Sequence, residues 1–183
     1  MKTKVDYLLK NAVVLTLDES FKKYNQGAVA IQDDLIYAVG PQDTLQDELT
    51  ANKTVNCQGK VIMPGLINVH THVAMNLLRG LADDLRLDVW LLGYIMPVER
   101  EFVSPEFVRL GTSLACAELI RSGVTCFADM YYFEDQVAQA TVEAGLRAVL
   151  GQTILKFKAP DATSYEEALN AAEELIDTWK GHP

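Results

Sequence analysis

The run Val61-Ile62-Met63-Pro64-Gly65-Leu66-Ile67-Asn68-Val69-His70-Thr71-His72 decides how this chain is read. An apolar stretch broken by Pro64-Gly65 reads as a β-strand entered through a turn and ending at the two histidines. On a strand, residues i and i+2 project from the same face, so His70 and His72 can reach one ion while Thr71 turns away. Neutral imidazole nitrogen binds Zn²⁺ at about 2.0–2.1 Å and suits other first-row metals. A bare His-x-His also fits paired surface histidines, but the strand-end setting favours the metal. Only one other histidine, His182, is present, and it follows Lys180-Gly181 in what reads as a loop.

Working outward, the rhythm of the chain changes at this run. Before it lie short β-like runs, Tyr7–Leu9, Ala12–Leu17, Ala28–Ile31 and Leu35–Gly40, separated by turn formers such as Asn25-Gln26-Gly27. They predict a small β-sandwich over residues 1–60. After it, strands and helices alternate, the pattern of a parallel sheet or barrel over residues 61–183. Ser104-Pro105-Glu106 supplies an N-cap and a first-turn proline, with Phe107, Leu110, Leu114 and Ala117 at helical spacing and Arg121-Ser122-Gly123 as the stop. A buried strand Val124–Met130, a helix over 134–144 closed by Gly145, and a strand Leu146–Leu150 follow. Ser164-Tyr165-Glu166-Glu167 has capping-box spacing and opens a last helix with Ala168, Ala172, Leu175 and Trp179 on one face.

Composition bounds the function. Of 183 residues, 49% are hydrophobic, ample for a core. The net charge of −9 leaves no clustered basic footprint, which disfavours nucleic acid as a partner. The three cysteines, Cys57, Cys116 and Cys126, are odd in number and lack Cys-x-x-Cys spacing, as expected of buried thiols in a reducing compartment. No apolar run approaches the ~20 residues of a membrane span, and the expectation is a cytoplasmic protein that does not engage membranes.

Pro64-Gly65-Leu66-Ile67-Asn68-x-His70-Thr71-His72, followed by Leu77-Leu78-Arg79-Gly80-Leu81-Ala82-Asp83-Asp84-Leu85, Trp90-Leu91 and Pro97-Val98-Glu99, resembles the amidohydrolase superfamily. Within it the likeness is greatest to the methylthioadenosine/S-adenosylhomocysteine deaminases and their triazine-chlorohydrolase relatives. The resemblance implies an α/β fold: the first strand-helix units of a (β/α)8 TIM barrel, preceded by part of a β-sandwich that C-terminal strands complete. Three such units are visible where a closed barrel needs eight. It also implies one divalent ion per complete site, Zn²⁺ or Fe²⁺, held by His70 and His72 with a third histidine and an aspartate from later strands. The family's proton-transfer residues belong to those later strands too, so no catalytic residue is assigned within this chain.

The resemblance further implies that Glu99 binds the ribose hydroxyls of a purine nucleoside, and a carboxylate can accept from two adjacent hydroxyls at once. The alternative for Glu99 is a solvated residue before a helix. Some relatives carry a substrate-reaching arginine near the end of the third strand; the matching Gln152 is the substrate-binding candidate there, although it cannot form a charged bidentate pair. Four residues stay open between two uses. Asp129 supports the metal ligands from behind or is a structural hydrogen-bonding residue, and Trp90, Leu91 and Met75 line a substrate pocket or pack a core. Asp83 and Asp84 read as loop or capping residues.

The implied activity is hydrolytic deamination of methylthioadenosine, S-adenosylhomocysteine or adenosine. The alternatives are a triazine, guanine or other amidine-like ring, or an inactive chain serving association. The complete enzyme is expected to be a homo-oligomer and the isolated 183 residues to be inactive.

Overall fold

A computed structural model describes residues 2–182. The chain divides into two compact units, one up to Pro64 and one from Gly65 onward. Among the described residues no helix is long and apolar enough to cross a membrane.

The first unit is built on β1 (Thr3–Leu15), which pairs antiparallel with β2 (Lys23–Gln32) and parallel with β4 (Leu49–Asn56); β3 (Leu35–Pro41) adds antiparallel to β2. The helix α1 (Gln42–Glu48) joins β3 to β4, and β5 (Val61–Ile62) extends the sheet by pairing with Val13 and Val14. Strand alternation gives the sheet two apolar faces. One packs Val5, Leu8, Ala28 and Ala30 under Leu45 of α1, and the other gathers Ala12, Val14, Val29 and Cys57.

Among the described residues this unit is one five-stranded sheet. Two expectations change here. The two runs read as separate strands at Tyr7–Leu9 and Ala12–Leu17 belong to β1, which continues through Asn11 in a left-handed conformation (φ 62°) and ends at Leu15. Val61 and Ile62 pair with β1, so the boundary falls after Pro64 and not before Val61. The polar composition of β4, Leu-Thr-Ala-Asn-Lys-Thr-Val-Asn, hid it from the hydrophobic pattern.

The second unit is a parallel sheet in the order β6 (Leu66–Thr71), β7 (Val124–Tyr131), β8 (Arg147–Gln152). Between β6 and β7 the chain forms a 3-10 helix over Val73–Leu78, a nearly continuous helix made of α2 (Leu87–Val89), a π-helical segment Trp90–Ile95 and α3 (Met96–Phe102), and then α4 (Pro105–Arg121). The helix α5 (Glu134–Ala144) joins β7 to β8, and α6 (Tyr165–Trp179) follows β8. Ser104 caps α4 by accepting from Phe107 N–H at 3.2 Å, and Ser164 caps α6 by accepting from Glu167 N–H at 3.1 Å. The reciprocal half of the box is displaced by one residue, because the Glu167 carboxylate takes the Thr163 N–H and hydroxyl.

The buried face of α4 is not the expected leucine stripe. Val108, Gly111, Thr112, Ala115 and Cys116 face the core, whereas Leu110 and Leu114 are 63% and 42% exposed. The cause is a close approach: a Cβ on Gly111 would lie 2.5 Å from the Ala74 carbonyl oxygen, so the helix packs through its small residues onto the 3-10 helix that follows His72. A Cβ on Gly65 would likewise strike the Thr125 side chain, which explains the glycine where β6 begins beside β7.

Candidate metal and substrate site

Both histidines stand where β6 ends. Their rings are 5.2 Å apart, edge to face, with His72 partly buried and His70 exposed. The Nδ1–H of His72 donates to the Met130 carbonyl at the end of β7, at 2.6 Å. A carbonyl can only accept, so the proton sits on Nδ1 and the Nε2 lone pair is left for a ligand, the tautomer that metal-binding histidines adopt. The donor set therefore suits a divalent ion as two of its ligands. Among the described residues no group of three or more His, Cys, Asp or Glu side chains converges to complete such a site.

His72 also borders a cleft of about 310 Å³. Trp90, Leu91, Ile95 and Met96 form one wall, and Met75, Met130, Leu155 and Phe157 contribute further apolar surface. The π-helical turn widens the helix over Trp90–Ile95, where it faces the cleft; such turns are frequent at functional sites. Glu99 lies within the cleft lining, only 5% exposed, and accepts from the Tyr131 hydroxyl at 2.9 Å through Oε1. Burial raises the Glu99 carboxyl above its ordinary range, opposed by the Tyr131 hydrogen bond. Burial also raises Tyr131, and the neighbouring Glu99 adds to the shift, so its hydroxyl stays a donor.

Asp129 is buried: Oδ1 accepts from the Thr71 hydroxyl at 2.6 Å and from Val73 N–H at 2.8 Å. Gln152 does not line the cleft. Its amide nitrogen donates to Asp161 at 2.6 Å, and its oxygen takes Glu134 N–H at 3.4 Å, which ties it to the start of α5. His182 lies after α6 with its ring 5.1 Å from that of Trp179. Asp83 and Asp84 are exposed in the loop before α2. Sequence reasoning missed Tyr131, Tyr132, Thr71 and Glu134 as parts of this region. Two tyrosines at a strand end and a glutamate opening a helix carry no distinctive local signal.

The family model described as the amidohydrolase family matches residues 61–182. The chain is 48% identical over 181 residues to a 5-methylthioadenosine/S-adenosylhomocysteine deaminase of Syntrophobacter fumaroxidans, covering 99% of this chain and 41% of that protein. It is 39% identical over 176 residues to a 5'-deoxyadenosine deaminase of Methanosarcina mazei, covering 96% and 39%. A crystal structure of an adenosine deaminase from Xanthomonas campestris with bound zinc superposes with a TM-score of 0.96 at 38% identity, over 100% of this chain and 42% of that one. The chain thus spans about two fifths of the length of the relatives it matches.

Proposed function

This chain belongs to the amidohydrolase family, and from that premise we propose that it is the N-terminal portion of a metal-dependent aminohydrolase that deaminates an adenine nucleoside such as methylthioadenosine, S-adenosylhomocysteine or adenosine, releasing ammonia. The observation that carries this reading is the shared setting of His72 and Glu99, a presented imidazole and a buried carboxylate lining the same apolar cleft. His70 and His72 would hold one divalent ion, Zn²⁺ or Fe²⁺. Bound there, the ion supplies Lewis acidity, the means by which water becomes a nucleophile near neutral pH.

The chain's own residues bind and orient. Glu99, with Oε1 held by Tyr131, accepts the paired hydroxyls of a ribose. Trp90, Leu91 and Met75 contact the base or a thioether and exclude water. A buried carboxylate that needs hydroxyl donors favours a nucleoside over a triazine ring, which brings none. The second unit is read as the opening strand-helix units of a (β/α)8 barrel, with the histidines at the C-terminal end of its first strand, where such folds carry their chemistry. The first unit is read as one layer of a sandwich completed by other strands, and the whole as a cytoplasmic homo-oligomer.

The test is Glu99→Gln in the full-length protein. Adenosine-type substrates should lose roughly 1.5–3 kcal/mol of binding, the usual worth of a hydrogen bond to a charged group. A 2′,3′-dideoxy analogue should scarcely respond. Equal losses for both would remove Glu99 from the ribose site.

A further inference from the structure

Two carboxyl groups outside the substrate cleft have no part in the reading above. Asp129 is 5% exposed and Glu134 is fully buried. Asp129 Oδ2 and both oxygens of Glu134 find no N–H or hydroxyl partner among the described residues, yet the two side chains meet each other. Two carboxylates cannot hydrogen-bond without a proton between them. Burial, and then the Asp129 charge, raise the Glu134 carboxyl towards its neutral form, in which it can donate to Asp129.

The consequence lies at the end of β6. The pairing of β6 with β7 is irregular between Asn68 and Thr71, and the 3-10 helix starts at Val73 with His72 at its N-cap position. An N-cap residue ordinarily uses its own side chain to take a free N–H of the first turn. His72 makes no such cap bond. Its cap comes from another strand: Asp129 takes Val73 N–H and the Thr71 hydroxyl, while the next residue, Met130, takes His72 Nδ1–H through its carbonyl. One dipeptide of β7 thus grips three successive residues of the His-x-His turn.

We propose that Asp129 is a positioning residue for the histidine pair, capping the turn from β7 so that the His72 imidazole is free to ligate. The proposal rests on the reading of His70 and His72 as metal ligands. Asp129 lies outside the cleft lining and its Oδ1 is bonded to Thr71 and Val73, so its effect must show in how well the ion is held.

The experiment measures zinc affinity of the full-length protein by chelator competition, together with the visible spectrum of the Co²⁺-substituted protein. Asp129→Ala should weaken zinc binding about 10–100-fold, the usual cost of losing an outer partner of a metal site, and alter the Co²⁺ spectrum. Asp129→Asn, which keeps the Oδ1 acceptor and offers an N–H to Glu134, should restore most of the affinity. Should Asp129→Ala not fold, Thr71→Val removes one of the two donors to Oδ1, together with the Thr71 contact to the Ala128 carbonyl, and should give a smaller loss with the same spectral change. Wild-type affinity and an unchanged spectrum in Asp129→Ala or, where that fails to fold, in Thr71→Val overturn the proposal. His70→Ala with His72→Ala serves as the separate control: full metal retention there overturns the ligand reading itself, whereas metal loss there with Asp129→Ala unaffected overturns only the positioning role.

Discussion

Glu134 shows how much one residue depends on its surroundings. At a helix start an acidic residue is ordinarily a favourable, solvated partner of the helix dipole. Here burial, then the charge of Asp129, push its carboxyl from an ordinary 4.5 up to about 9. Between those values the folded protein holds a proton that the unfolded chain has released, so this group makes stability fall as pH rises through that window. Glu134→Gln cannot titrate and offers an amide N–H where the neutral acid has its O–H. Urea midpoints measured at about pH 5 and about pH 8 should therefore lie closer together in the variant than in the parent protein. An identical separation in both would mean that Glu134 is ionised in the fold.

At the scale of elements, α4 and the 3-10 helix after His72 are locked by the absence of a side chain. Glycine inside a helix costs about 1 kcal/mol against alanine, so Gly111→Ala would by propensity alone stabilise α4. The new Cβ would instead meet the Ala74 carbonyl at 2.5 Å, a backbone atom with no rotamer to yield. Overpacking of this kind costs about 1–3 kcal/mol, which outweighs the gain. Chemical denaturation of Gly111→Ala should show a net loss of stability; a gain would mean that α4 can shift away from the 3-10 helix at little cost. The leucines on the other side of α4 misled the sequence reading, because periodicity identifies a helix without saying which neighbour comes nearest.

For the whole molecule the balance of covered and uncovered surface matters most. Ile67 and Val69 on β6 and Val149 on β8 are each at least two thirds exposed, and β6 and β8 are the outer strands of their sheet among the described residues. Unpaired strand edges beside apolar surface recruit other chains. Expressed alone, these 183 residues should elute as oligomers or aggregate in size-exclusion chromatography with light scattering. Added Zn²⁺ should produce no ammonia from methylthioadenosine above the protein-free control. A sharp monomer with cooperative unfolding would show that the chain closes its own surfaces.

The elements legible in advance were those written in short-range signals. Pro64-Gly65 before an apolar run ending in His-x-His, Ser104-Pro105 and Ser164 as caps, and Gly145 as a stop each act within a turn or two of chain, so α4, α5, α6 and the strand bearing the histidines follow from the sequence by itself. So does the change from clustered strands to alternating strands and helices. What the tertiary structure alone decided is the state of the groups within them. The Met130 carbonyl that sets the His72 tautomer is 58 residues away in sequence, the Val73–Asp129 bond spans 56, and the Tyr131–Glu99 bond spans 32. Such contacts arise from the parallel register of β6 on β7 and from the path of the π-helical segment, which no local periodicity encodes. Burial follows from the same packing and raises both Glu99 and Glu134; at Glu99 the Tyr131 hydroxyl opposes it by donating to Oε1, whereas at Glu134 the Asp129 charge adds to it.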